Sequence, residues 1–208
     1  MLQSPVFTSH EATMTALILD LTPIATLSDH QFDELCTANP EIKLERTPRG
    51  ELVIMSPTGG ETGKNNSELN ADFVIWNRQY QLGYVFDSST CFRMTAFGGG
   101  DRSPDVSWIE KSRWQSLSPA ERQSFPPIVP DFVLELLSPS DSLYTTQKKM
   151  AEYITVGVRL GWLIDPQNQT VEVYRPGQPV EILEQPSAIA DEEVLPRFQL
   201  SLDWLWTS

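Results

Sequence analysis

Cysteine and histidine are scarce in this chain, and positive charge is in deficit. Two cysteines, Cys36 and Cys91, and two histidines, His10 and His30, are too few and too scattered for a structural zinc site. At most one disulfide can form, and a chain of 208 residues has room for a core without it. A reducing compartment, the cytoplasm, is therefore expected. No Lys or Arg precedes Lys43, so neither a secretory leader nor a transit peptide is expected. The early apolar stretch TALILDL is short and carries an acid, which argues against a membrane span. Fifteen Lys+Arg stand against 28 Asp+Glu, a formal charge of −13. That balance weighs against non-specific coating of a phosphate backbone, which is driven by cations. It leaves room for a local basic cleft, because net charge bears on solubility and steering rather than on one site.

What is present is globular. Hydrophobic residues make up 40 % of the chain and charged ones 21 %, with six Trp and nine Phe to fill a core. Neither internal repeats nor a low-complexity linker divides it. The reading is a tail over residues 1–25, then a single domain over 26–208. Ser28 can cap a helix whose Phe32, Leu35 and Cys36 share one face, with Pro40 ending it. IKLERTPRGELVIMSP reads as a hairpin turning at Pro48–Gly50. A Gly-rich stretch then leads into a long helix carrying the stripe Leu69, Phe73, Trp76, Tyr80, with Gly83 as its stop. FGGGDRSP reads as a flexible turn and KSRWQSLSPAERQSFPP as short surface helix. A strand from 131 to 138 feeds a helix from about Asp141 to Val156, capped by Ser140 or Asp141. Three strands and a docking apolar terminus close the chain. Helices alternating with strands in this order predict an α/β fold with a mixed sheet.

One residue conflicts with its surroundings. Glu135 interrupts the apolar strand DFVLELL, where an unpaired carboxylate costs several kcal/mol, on the order of the burial penalty of a charge. It must be paired, metal-bound or at an exposed edge. Upstream, Asp105 begins another apolar strand in SPDVSWI; downstream, Lys148 and Lys149 sit on the helix that follows Glu135. Two carboxylates meeting at strand ends suit a hard cation such as Mg²⁺, which takes one or two carboxylates and leaves its other positions to water and phosphate. A lysine beside it can orient water and offset charge developing on phosphorus. Lys149 borders the predicted buried stripe of Met150, Tyr153 and Ile154, whereas Lys148 lies about 100° further round and faces solvent.

The hairpin with MSPTGGE, then SPDV, DFVLELLSPSDS, the Lys149-x-x-x-Tyr153 spacing and GWLIDP followed by VEVY resemble the Uma-two-type, restriction-endonuclease-like family of the PD-(D/E)XK nuclease superfamily. The resemblance spans roughly residues 30 to 180. It implies a restriction-endonuclease-like mixed sheet flanked by helices, preceded by an N-terminal helix and hairpin. It also implies a Mg²⁺-dependent endonuclease acting on DNA, with Mn²⁺ as a substitute ion and a homodimer by analogy. Carried over, Asp105 and Glu135 are the metal acids, the Leu136 carbonyl is a further ligand, and Lys149 is the catalytic lysine. The superfamily's usual lysine position, two residues after the second acid, is Leu137 here, so the lysine has moved to the helix. Glu68 on the long helix, with Glu61 as its competitor, matches an acid that many members carry there.

Blander readings stay open. Asp105 fits a turn acid, Glu68 a helix-dipole acid, and Glu135 with Lys149 a buried ion pair without catalysis. The alternative to an enzyme is a dimeric interaction module that retains the fold without the activity.

Overall fold

The computed structural model describes residues 16–207. A six-stranded sheet forms the middle of the molecule. Its strands are β4 (Gly83–Asp87), β7 (Val106–Glu110), β8 (Phe132–Leu136), β9 (Leu160–Asp165), β10 (Thr170–Tyr174) and β11 (Glu181–Glu184), in the order β11-β10-β9-β8-β7-β4. Only the β8–β9 pair is parallel; the others are antiparallel. A parallel pair needs a crossover, and α5 (Leu143–Val156) supplies it. The sheet is thus mixed, as expected.

Both faces of β8 are covered, which explains its continuous apolar reading. Phe132, Leu134 and Leu136 join a cluster with Leu69, Phe73 and Trp76 of α2 (Gly60–Tyr80) on one side. Val133 joins Met150, Tyr153 and Val156 of α5 on the other. The buried stripe of α5 therefore ends in Val156, with Ile154 only partly buried. Its cap is Ser142, whose hydroxyl accepts from the Thr145 N–H, rather than Ser140 or Asp141. The left-handed cap of α2 is Gln81, at φ 55°, while Gly83 opens β4.

A second sheet stands before the first, in the order β1-β3-β2-β6-β5. It comprises β1 (Leu17–Leu19), β2 (Leu44–Arg46), β3 (Leu52–Ile54), β5 (Phe92–Arg93) and β6 (Asp101–Arg102), with α1 (Asp29–Ala38) packed on it through Phe32. The Ser28–Gln31 capping box starts α1. Leu17–Leu19 pairs with β3, so part of the expected tail is a strand; residues 1–15 lie outside the described residues. FGGGDRSP is not a flexible turn. Gly98 takes φ +85°, and a Cβ on Gly100 would lie 1.9 Å from the Arg46 carbonyl, so glycine lets β6 close against β2. Helices α3 (Lys111–Ser116) and α4 (Pro119–Gln123) lie between β7 and β8. The strands β12 (Ala188–Ala190) and β13 (Gln199–Ser201) pair, and α6 (Asp203–Trp206) docks Leu205 into the α2-side core. No helix among the described residues is long and apolar enough to cross a membrane.

Candidate active site

Register brings the two acids together. The β7–β8 ladder pairs Val106 with Leu134 and Ser107 with Val133. Asp105 immediately precedes Val106 and Glu135 follows Leu134, and the Asp105 carboxylate reaches the N–H of Leu136, the residue after Glu135. Both acid side chains line a cleft of about 1320 Å³ between the two sheets and the first turns of α2 and α5.

Lys149 reaches the same place from α5. Its Nζ lies 2.9 Å from Glu135 Oε1 and 3.0 Å from Glu45 Oε1. The Tyr153 hydroxyl, one helical turn on, donates to Glu135 Oε1 at 2.8 Å. Asp105 Oδ2 accepts the Leu136 N–H at 2.8 Å, and Asn66 Nδ2 donates to its Oδ1 at 3.4 Å. Asp105, Glu135 and Lys149 are thus brought together as the sequence suggested, and Leu136 lines the same cleft. Lys148 is exposed and stacks its ammonium on the Tyr144 ring. Glu68 is not brought to them: it is exposed on α2 and outside the cleft lining. Glu61 lines the cleft but is 81 % exposed and pairs with Lys64. Asn66 is the α2 residue that touches an acid of the site.

Glu45 is the residue that sequence reasoning missed. It is 1 % exposed, accepts the Ser103 N–H at 2.9 Å, and pairs with Arg102 at 3.1 Å as well as with Lys149. Arg102 in turn holds Glu152 of α5. Four carboxylates, Glu45, Asp105, Glu135 and Glu152, thus meet two cations, Arg102 and Lys149.

Electrostatics separate the acids. Burial pushes Glu135 up to about 7; Lys149 pulls it down, and the charges of Asp105 and Glu45 push it further up. Asp105 is raised, chiefly by burial, against the Leu136 N–H and the charges of Lys149 and Lys43. At Glu45 burial also opposes ionisation, but Lys149, Arg102 and the Ser103 N–H outweigh it and bring it down to about 2. Burial opposes the Lys149 charge, yet Glu135 and Glu45 win and raise its pKa, so the ammonium stays protonated.

The donor set fits a hard divalent ion. Among the described residues no three His, Cys, Asp or Glu side chains form a ready-made cage. Mg²⁺ does not need one, since a pair of carboxylates with water suffices. Carboxylates exceed cations, and Asn66 Oδ1, beside Asp105, is a buried oxygen without a hydrogen-bond partner.

The family model described as "Putative restriction endonuclease" matches residues 29–203. The crystal structure of "a putative nuclease belonging to DUF820" from Anabaena variabilis ATCC 29413 superposes with a TM-score of 0.67 at 27 % identity, covering 80 % of this chain and 91 % of that one. No curated protein matches. The α/β architecture with a mixed sheet flanked by helices is thus shared with that nuclease structure, as the resemblance implied.

Proposed function

The chain belongs to the Uma2 family of restriction-endonuclease-like proteins, and from that premise we propose that it is a divalent-metal-dependent nuclease that hydrolyses phosphodiester bonds in DNA at the Asp105–Glu135–Lys149 cluster. The observation that supports this reading is the single cleft lined by Asp105, Glu135 and Lys149, with the Lys149 Nζ 2.9 Å from Glu135. Asp105, Glu135 and the Leu136 carbonyl would hold Mg²⁺, or Mn²⁺ in its place. A bound ion would supply Lewis-acid polarisation of phosphate oxygen and a water more easily deprotonated.

The chain's own groups supply the rest. Lys149, kept cationic between Glu135 and Glu45, offsets charge building on the phosphate oxygens and aligns the attacking water by hydrogen bonding. Because it stays protonated, it does not take the water's proton. Glu135, titrating at about 7, can change protonation state at neutral pH, and Tyr153 fixes its carboxyl. Glu45 is a positioning residue: bound to the Ser103 backbone and Arg102, it aims Lys149 at the cleft. A cytoplasmic location and a homodimer that sets one site on each strand of a duplex belong to the same reading.

The test is cleavage of plasmid and oligonucleotide DNA with Mg²⁺ or Mn²⁺ by the wild type, Glu135→Ala and Lys149→Ala. The wild type is expected to cut and both variants to fail. Cleavage untouched by both substitutions would remove the assignment of this site; a wild type that neither cuts DNA nor binds Mn²⁺ through Glu135 would favour the non-catalytic module, a reading the charge of −13 supports.

A further inference from the structure

The end of β8 borders a second hollow, on the sheet face opposite the carboxylates. Alternation along the strand sends Glu135 toward α5 and Leu136 toward α2. Where Leu136 points, a pocket of about 350 Å³ lies between the first turns of α2, the β9–β10 turn and α6. Its walls are apolar or aromatic, including Leu136, Pro139, Leu205 and Trp206. Its polar groups are the amides of Asn65, Gln167 and Gln169, the Thr62 hydroxyl and, at the exposed mouth, the Glu61 carboxylate, and its lining contains no Lys or Arg among the described residues. Glu61, Thr62, Leu136 and Pro139 line both this pocket and the catalytic cleft, so the two are continuous around the strand end.

Asn65 is the unexplained group. It is 6 % exposed, and its Oδ1 is buried without a hydrogen-bond partner. A buried polar atom left unpaired destabilises the fold, and no neighbour among the described residues relieves it. The aromatic wall, by contrast, is held firmly. Trp206 Nε1 donates to the Pro186 carbonyl at 2.8 Å, and Gln169 Nε2 donates to the Trp206 carbonyl at 3.1 Å.

Walls of this kind select a ligand. Without lysine or arginine the pocket does not suit a phosphate. Apolar surfaces with an indole and three amides suit a flat, uncharged heterocycle with donors and acceptors on its edge. We propose that this pocket receives one unpaired nucleobase of the substrate, from the nucleotide adjoining the scissile phosphate. The proposal rests on the nuclease reading and deepens it. The link between the two sites is Leu136: its N–H is bonded to Asp105 while its side chain walls the pocket. A base drawn from a duplex must first leave its stack to enter. Within a bound DNA, a single-stranded or mispaired stretch is therefore expected to bind more tightly than a fully paired one. The base contact also supplies affinity that an acidic protein does not gain from phosphates alone.

The test uses single-stranded DNA oligonucleotides carrying one 2-aminopurine at successive positions, bound to the full-length protein with Ca²⁺ in place of Mg²⁺. One position is expected to change its fluorescence several-fold while its neighbours stay constant. Asn65→Leu, which keeps the site filled but removes the amide, is expected to abolish that change and weaken binding about tenfold. Gln167→Ala, at an exposed rim position that cannot disturb the core, is expected to produce a smaller loss in the same direction. Bound or cleaved DNA with no responding position, or a response that both variants leave intact, would overturn the proposal. Should DNA be neither bound nor cut, the nuclease reading itself fails, and free 2-aminopurine riboside then decides the pocket. Binding that Asn65→Leu removes supports a nucleobase site; absence of binding overturns it.

Discussion

Two buried ionic clusters grow from the same two short strands and face opposite ways. On one side Arg46 and Asp101, direct partners in the β2–β6 ladder, join at 2.7 Å. Arg93 adds a second donor to Asp101, and the two arginines reach Asp29 and Asp33 on α1. Phe32 and Phe125 lie against the guanidiniums at 5.1 and 5.6 Å. The adjacent residue on each strand, Glu45 and Arg102, points the other way, into the cleft with Lys149, Glu135 and Glu152. The chemistry is the same and the outcome differs. The first cluster is roofed by rings, and its surplus acids, Asp29 and Asp33, are half-exposed to water that screens them. It acts as a staple holding α1 to the sheet. The second keeps its surplus carboxylates buried beside an open cleft, the place where the proposed divalent ion would be held.

Substitutions can break this contrast, taken from the largest effect to the smallest. Arg46→Ala strands Asp101 without its nearest partner and should cost about 3–5 kcal/mol of stability, read as a lowered melting temperature. In the fraction that stays folded, Mn²⁺ affinity should be unchanged; a lost metal site there would show that the clusters are not independent. Lys149→Ala should lower the cleavage rate about 10²–10³-fold, the usual loss for a group aimed at developing charge, measured under single-turnover conditions. Glu45→Gln keeps Lys149 in place with a weaker hold and should cost about 10–100-fold in activity. An unaltered rate in that variant would reduce Glu45 to packing.

The pH dependence sharpens the same contrast. Proton and metal compete for Glu135, which titrates at about 7. Mn²⁺ affinity should therefore rise about tenfold per pH unit below that value and level off above it. Glu135→Gln should flatten the profile. Stability carries two opposed signatures. The contribution of Glu45, depressed to about 2, is present above pH 4.5 and lost as pH falls toward 2. That of Glu135, raised above its ordinary 4.5, is full in acid and lost as pH rises through 4.5 toward 7. The smallest effect belongs to Glu68→Ala, which should change the rate less than about twofold, as exposed substitutions do.

Glu135 was legible because an acid in an apolar strand is a local contradiction, visible without any partner. Asp105 and Lys149 followed from their spacing around it. Glu45 left no such mark. In LERTP it reads as the solvent-facing member of an alternating strand, and all three residues of β2 are in fact buried. Its burial comes from Arg102 and Lys149, 57 and 104 residues away, contacts that no local period encodes. Arg102 was hidden for a related reason: its strand sits behind three glycines that locally read as a turn, and only the close approach of Gly100 to Arg46 shows their purpose. On α2, the helix acid suggested by resemblance pointed to Glu68, but helix phase turns Asn66 toward Asp105 instead.

The central claim is that Asp105 and Glu135 share one divalent cation across the β7–β8 ladder. An anomalous difference map from a crystal soaked in Mn²⁺ tests it most directly. The account predicts a peak within coordination distance of both carboxylates and the Leu136 carbonyl, absent in Glu135→Gln. A wild-type map without a peak there, or with one that Glu135→Gln leaves unchanged, would contradict it.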